Sequence, residues 1–169
     1  MVQHRLGVVA LLALWVVLAT TASADMKPSQ LTPSTDDEPV LTLVREGEEQ
    51  RLSLRDLESL DIYDAEIEHF EGKEGVFTGI RLRDFIDEHN LGDVRRIRLI
   101  AADDYTTFLR PEELDERDYL LVTRFEGEPM STEDLGPLML IVPEDEQAVL
   151  SGEKPMTRWI WAITEIRAR

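Results

Sequence analysis

The sequence predicts an α+β domain: a mixed or antiparallel β-sheet carrying two or three short helices. Three observations predict it. Apolar side chains recur with period two in several short runs, helical spacing is confined to brief segments, and the two patterns do not alternate strictly along the chain as a helix-wound parallel sheet requires.

The elements follow in order. Residues 25–39 are rich in Pro, Ser, Thr and Asp and predict a flexible leader. Regular structure begins at Val40, and residues 40–169 form one domain. Val40 to Val44 is a strand closed by the polar stretch Arg45 to Glu49. Leu52 and Leu54 continue as a short return strand, and Ser53 caps a helix with Leu54, Leu57 and Leu60 at helical spacing. Glu66 to Phe70 alternates polar with apolar, Glu71 to Gly75 is a turn, and Val76 to Ile80 is a second strand. Leu82, Phe85, Ile86 and Leu91 recur at helical spacing, with Asn90 and Gly92 as the stop.

Arg96 to Ala102 places Ile97, Leu99 and Ala101 on one face, and Asp103-Asp104 turns the chain into Tyr105 to Leu109. Pro111 to Leu114 is one helical turn with proline at its first position, where a missing amide proton costs nothing. Tyr119 to Phe125 is a buried strand, Glu126 to Pro129 a turn, and Leu138 to Val142 a further strand. The last segment, Arg158 to Arg167, is expected to be a strand with Trp159, Trp161 and Ile163 on one face.

The amino end has the layout of a cleavable export signal. His4 and Arg5 precede an apolar run from Leu6 to Leu18, and Ala22-Ser23-Ala24 supplies the small side chains of a cleavage site before Asp25. Residues 1–24 are therefore expected to be a signal peptide, and the run is short for a spanning helix of about 20 apolar residues. The formal net charge of −17 argues against nucleic acid and anionic lipid as partners, since both are held by clustered Lys and Arg. A hydrophobic content of 43% supplies enough apolar surface for a core, which sets the chain apart from acidic disordered segments. Cysteine is absent, so neither a disulfide nor a thiol nucleophile is available. An export signal without disulfides suits a periplasmic location, a fully secreted protein being the alternative.

The order of local signals resembles a known family. Phe77-Thr78-Gly79-Ile80-Arg81-Leu82-Arg83-Asp84-Phe85 is similar to the F-x-G-V-x-L-x-D-L step of the oxidoreductase molybdopterin-binding domain, the sulfite-oxidase-like fold. Ala102 to Tyr105 resembles its A-x-D-G-Y turn, Leu121 to Pro129 its strand and following turn, Gly136 to Pro143 its G-P-L-R-L-V-V-P strand, and Trp159 to Ile166 its W-x-x-x-I-x-x-I ending. The resemblance runs from about Ile67 to Arg167 and implies molybdopterin as cofactor. In catalytic members a cysteine thiolate, a soft donor, completes the molybdenum site. This chain has no cysteine and is shorter than full-length catalytic members.

The remaining chemistry is sparse. His69 and His89 lack a partner at metal-ligand spacing and are expected to be structural or solvated. Asp103-Asp104 and Glu144-Asp145-Glu146 lack the alternating ligands of a calcium loop and are expected to be solvated turns. No Gly-x-Ser-x-Gly elbow or phosphate loop is present, and paired carboxylates are too abundant to mark an acid and base. Lys154, Arg158, Trp159 and Trp161 set two cations beside two indoles, a combination suited to a planar anionic ligand, with a packed core role for the indoles as the alternative. The family's sheet, if preserved, would bring Tyr105 and Arg124 to the same concavity. Arg95, Arg96 and Arg98 form the densest basic cluster and are expected to pair with surrounding carboxylates, an anion site being the alternative.

The expectation is a periplasmic non-catalytic binding, sensory or accessory module on a reduced molybdopterin-binding fold, with no cofactor, no metal and a membrane-bound signalling or redox protein as partner. Two alternatives stand beside it: a molybdopterin-dependent oxidoreductase with a non-cysteine metal ligand, and a structural partner of a membrane signalling protein.

Overall fold

A computed structural model describes residues 25–169. The expected signal peptide at residues 1–24 lies outside the described residues. In chain order the elements are β1 (Lys27–Pro28), β2 (Pro39–Arg45), β3 (Glu48–Ser53), α1 (Leu54–Leu57), β4 (Ile62–Glu68), β5 (Glu74–Arg81), α2 (Leu82–Glu88), β6 (Ile97–Ala101) and β7 (Thr106–Leu109). A 3-10 turn at Pro111–Asp115 then leads to β8 (Leu120–Phe125), β9 (Glu128–Pro129), β10 (Met139–Ile141), α3 (Glu146–Leu150), a 3-10 turn at Met156–Arg158 and β11 (Ile163–Ala168). Among these described elements no helix is long and apolar enough to cross a membrane.

The strands form two sheets. One is antiparallel with order β1-β4-β5-β8-β10, and β9 pairs back on β8. The other has order β3-β2-β11-β6-β7, in which β11 runs parallel to β2 and antiparallel to β6. The architecture is the mixed α+β arrangement the periodicities predict.

One hydrophobic cluster joins the sheets: Leu41, Leu43, Leu99 and Ile166 from the mixed sheet meet Ile80, Leu121 and Leu140 from the antiparallel one, together with Leu82, Phe85 and Ile86 of α2. A second cluster takes the other face of the antiparallel sheet, with Ala65, Ile67, Phe77, Leu120, Val122, Met139, Ile141 and Trp159. Because β8 and β10 are buried on both faces, Leu120-Leu121-Val122 and Met139-Leu140-Ile141 are unbroken apolar runs rather than alternating ones. Gly79 lies where β5 and β8 shift register, and a Cβ there would sit 2.1 Å from the Leu121 carbonyl oxygen, so only glycine admits this approach.

Local chemistry explains several boundaries. The Ser53 hydroxyl accepts from the Asp56 amide at 3.2 Å while the Asp56 carboxylate accepts from the Ser53 amide at 2.9 Å, a reciprocal cap that starts α1. Past the end of α2, Asn90 adopts φ 53, which turns the chain toward β6.

Four expectations are corrected. Residues 25–39 are tied to the domain rather than loose: β1 pairs with β4, the Ser34 amide donates to Glu58 at 2.6 Å, and the Asp36 carbonyl accepts from the Arg55 amide at 2.9 Å. The final strand does not start at Arg158. Ala162 takes φ 54, a left-handed conformation that breaks the two-residue alternation, so β11 begins at Ile163. The acidic stretch Glu144-Asp145-Glu146 is not a solvated turn but leads into α3, with Asp145 buried.

Arg124 is the fourth correction. It does not line a concavity with Tyr105. Its Nε donates to Glu58 Oε1 at 2.9 Å, its Nη2 pairs with Glu58 Oε2 and donates to the Thr32 carbonyl at 3.1 Å, and the Thr123 hydroxyl donates to Glu58 Oε1 at 2.7 Å. The Glu58 side chain is fully buried. Removing one member of a buried pair strands the other charge, so Arg124→Met is expected to lower unfolding stability by about 3–5 kcal/mol. Urea denaturation of the chain comprising residues 25–169 checks this, and the double variant Glu58→Met with Arg124→Met should recover part of the loss.

Candidate functional site

A cleft of about 170 Å³ opens at the far end of β6. One wall is the β6–β7 turn, where Asp104 takes φ 67 and the Asp103 carboxylate accepts from the Tyr105 amide at 3.0 Å, which presents a half-exposed Tyr105 ring. The other wall is the segment between the last 3-10 turn and β11, with Met156, Ile160 and Trp161. The two walls are bound together, since the Ala162 carbonyl accepts from the Ala102 amide at 2.8 Å. Trp159, 2% exposed, forms the floor.

Behind this floor lies an aromatic cluster centred on His69. Its ring sits 4.4 Å from Phe70, 5.5 Å from Trp159, 6.1 Å from Trp161 and 6.3 Å from Phe77, centroid to centroid. His69 Nδ1 accepts from the Glu71 amide at 3.2 Å, which leaves the proton of the neutral ring on Nε2. His69 Nε2 and Trp159 Nε1 are both buried and find no hydrogen-bond partner among the described residues. Burial, with a smaller contribution from the Lys73 charge, lowers the His69 pKa from 6.5 to about 4. The expectation of a structural histidine therefore holds for His69 in a stronger form: it is a fully buried member of an aromatic wall.

A second depression, about 270 Å³, shares Trp159 with the cleft and is lined by Glu113, Glu116, Arg117, Tyr119, Asp145, Lys154 and Arg158. Its cations are all engaged. Arg158 pairs with Glu113 at 2.6 Å and donates to the Thr107 hydroxyl at 3.2 Å, while Lys154 and Arg117 both pair with Asp145. Burial alone would raise the Glu113 carboxyl, but the Arg110 amide and the Arg158 guanidinium outweigh it and hold the group below its ordinary value.

The six side chains singled out in the sequence thus divide three ways. Tyr105, Trp159 and Trp161 share the cleft. Lys154 and Arg158 occupy the neighbouring depression, with Trp159 shared by the two hollows. Arg124 belongs to the Glu58 pair elsewhere. Sequence reasoning missed Met156 and Ile160 as cleft walls, and it missed Glu113 and Asp145 as the groups that bind the cations. In a chain with 35 acidic residues no local signal marks those two carboxylates.

The domain is thus a two-sheet α+β fold with an aromatic-lined cleft at the end of its strands. The description is sharpened by comparison: the oxidoreductase molybdopterin binding domain matches residues 45–164, and the chain belongs to that family. No curated protein matches the chain.

The donor set can be tested against the family's cofactor. The chain has no cysteine to give molybdenum a thiolate, and among the described residues no three metal-binding side chains converge. The cleft of about 170 Å³ is small beside the ~300–1,000 Å³ of sites for drug-sized ligands. The cations nearest Trp159 are held by Glu113 and Asp145 and so are not free for a pterin phosphate. The residues present do not fit a molybdenum-bearing pterin held through a protein sulfur.

His69 sets a pH dependence. Its folded pKa lies below its unfolded value, so the unfolded chain takes up the extra proton between pH 6.5 and about 4, and stability falls as pH drops through that window and is intact above it. The full span is worth about 3 kcal/mol. Unfolding free energy measured across this range should show a shallower acid slope in His69→Phe than in the parent, and equal slopes would count against the assignment.

Proposed function

We propose that this chain is an exported, non-catalytic binding module of the oxidoreductase molybdopterin-binding family that takes a small, flat, uncharged ligand between Tyr105 and Trp161. The single observation that carries the reading is the state of the cations: Arg158 is paired with Glu113 and Lys154 with the Asp145 that it shares with Arg117, so both groups suited to an anionic cofactor are already engaged, and the cleft itself is walled by Met156, Ile160 and aromatic rings. A flat ligand gains by stacking and by leaving water, neither of which needs a free charge. Asp103 at the rim offers one acceptor that can orient a ligand N–H.

In this reading residues 1–24 direct export to the periplasm, and the acidic surface steers the domain to a membrane-bound signalling or redox partner with a cationic face.

Metal and pterin analysis of the chain purified from a periplasm competent for the cofactor tests the non-catalytic part. Neither is expected at stoichiometric level, and stoichiometric molybdenum with dye-linked reductase activity would replace this reading with that of an oxidoreductase using a non-cysteine ligand. Free pterin, a flat heterocycle without phosphate, is the probe for the cleft. It should quench tryptophan fluorescence saturably, and Trp161→Ala should weaken binding about tenfold, or about 1.4 kcal/mol. Unsaturable quenching in the parent would sink the stacking site.

A further inference from the structure

The mixed sheet carries a second feature, at the opposite end of β6 and β11 from the cleft. Arg98 stands directly across from Arg167, and Arg96 and Arg169 exchange backbone hydrogen bonds at 2.8 and 3.0 Å, so two alternate cross-strand positions, on either side of the Ile97–Ala168 pair, set arginine against arginine. With a side-chain period of two, all four fall on one face of the sheet. A hollow of about 30 Å³ between them is lined by these four residues. Like charges directly opposite each other destabilise a sheet.

A chain of net charge −17 could relieve this with its own carboxylates, yet it does so for one of the four. Arg167 pairs with Glu165 and feels the charge of Glu49, whereas among the described residues Arg96, Arg98 and Arg169 form no ion pair. Instead, Arg96 and Arg98 lie over the Phe108 ring, 4.6 and 5.8 Å from its centroid, which orients their planes. Arg98 Nη2 donates to the Thr106 hydroxyl at 3.3 Å, and Arg98 Nε is buried with no partner. The expectation that these arginines serve to pair with surrounding carboxylates is not met for Arg96 and Arg98.

We infer that Arg96, Arg98, Arg167 and Arg169 form a binding site for a compact oxyanion of the phosphate class. Guanidiniums present planar, preorganised donors suited to two oxygens at a time, and a doubly charged tetrahedral anion meets several of them at once. The four guanidiniums address the charged head of a ligand, so the ligand is either the free ion or the terminal group of a phosphomonoester. The site shares no residue with the cleft and does not depend on the reading of the cleft.

The test is calorimetric titration of the chain comprising residues 25–169 with inorganic phosphate at constant ionic strength set by chloride, with phenyl phosphate as the second arm. Saturable one-to-one binding of phosphate is expected, with a matching rise in the thermal midpoint. Equal or tighter binding of phenyl phosphate assigns the site to an esterified head, and weaker binding assigns it to the free ion; both support it. Arg98→Gln with Arg167→Gln should weaken phosphate at least tenfold while leaving the phosphate-free midpoint unchanged or higher, because a repulsion is removed. Arg98→Lys, which keeps the charge and loses the fork, should give an intermediate loss. Absence of saturation in the parent, or phosphate binding unchanged in the double variant, would overturn the inference.

Discussion

A carboxylate with no accessible surface must be satisfied inside the protein, and Glu58 is that carboxylate here. Its two oxygens are met by Arg124, the Thr123 hydroxyl and the Ser34 amide. These donors come from β8 and from the segment before β2, while Glu58 itself closes α1, so one buried group joins three parts of the chain that lie far apart in sequence. Thr32, whose carbonyl takes a further Arg124 hydrogen bond, extends the same junction. Arg124 is thereby committed to a buried junction rather than to either hollow beside Trp159.

Trp159 belongs to the second cluster, on the other face of the antiparallel sheet. A sheet buried on both faces needs a cover, and the segment before β11 supplies it by turning through Ala162 and laying Trp159 against Phe77 and His69. The same turn separates charge from ring. Arg158 is drawn toward Glu113 and Thr107, while Trp161 faces the cleft with Tyr105. Covering the sheet therefore sorts the four neighbours in sequence into a polar hollow and an apolar one.

Much of this was legible in the residues themselves. The Ser53 cap, the Leu82 to Leu91 spacing, the proline-led turn at Pro111 and the buried runs in β8 and β10 each encode their structure within a few positions, and the family's local motifs survive over the span that matches it. What was not legible depends on partners distant in sequence. Composition marked residues 25–39 as loose because Pro, Ser and Asp carry no sign of a buried Glu58 waiting to be bound. The Trp159 to Ile166 alternation promised a full strand, and a single left-handed Ala162, a residue with no special preference for that conformation, interrupts it. Arg124 looked free because an arginine in an apolar strand gives no hint of which of 35 acidic residues it meets.

The fate of the cations is what separates this domain's chemistry from that implied by its family. A thiolate and free guanidiniums together would make a site for a metal bound to a charged organic ligand. Here the thiolate is absent from the sequence, the cations bordering Trp159 are engaged by Asp145 and Glu113, and the hollow beside Tyr105 and Trp161 has no cation in its lining. Uncompensated positive charge survives instead on Arg96, Arg98 and Arg169, at the far end of the same strands. The charged hollow and the aromatic one thus lie at different ends of one sheet. Two strands, β6 and β11, are the structural link between them.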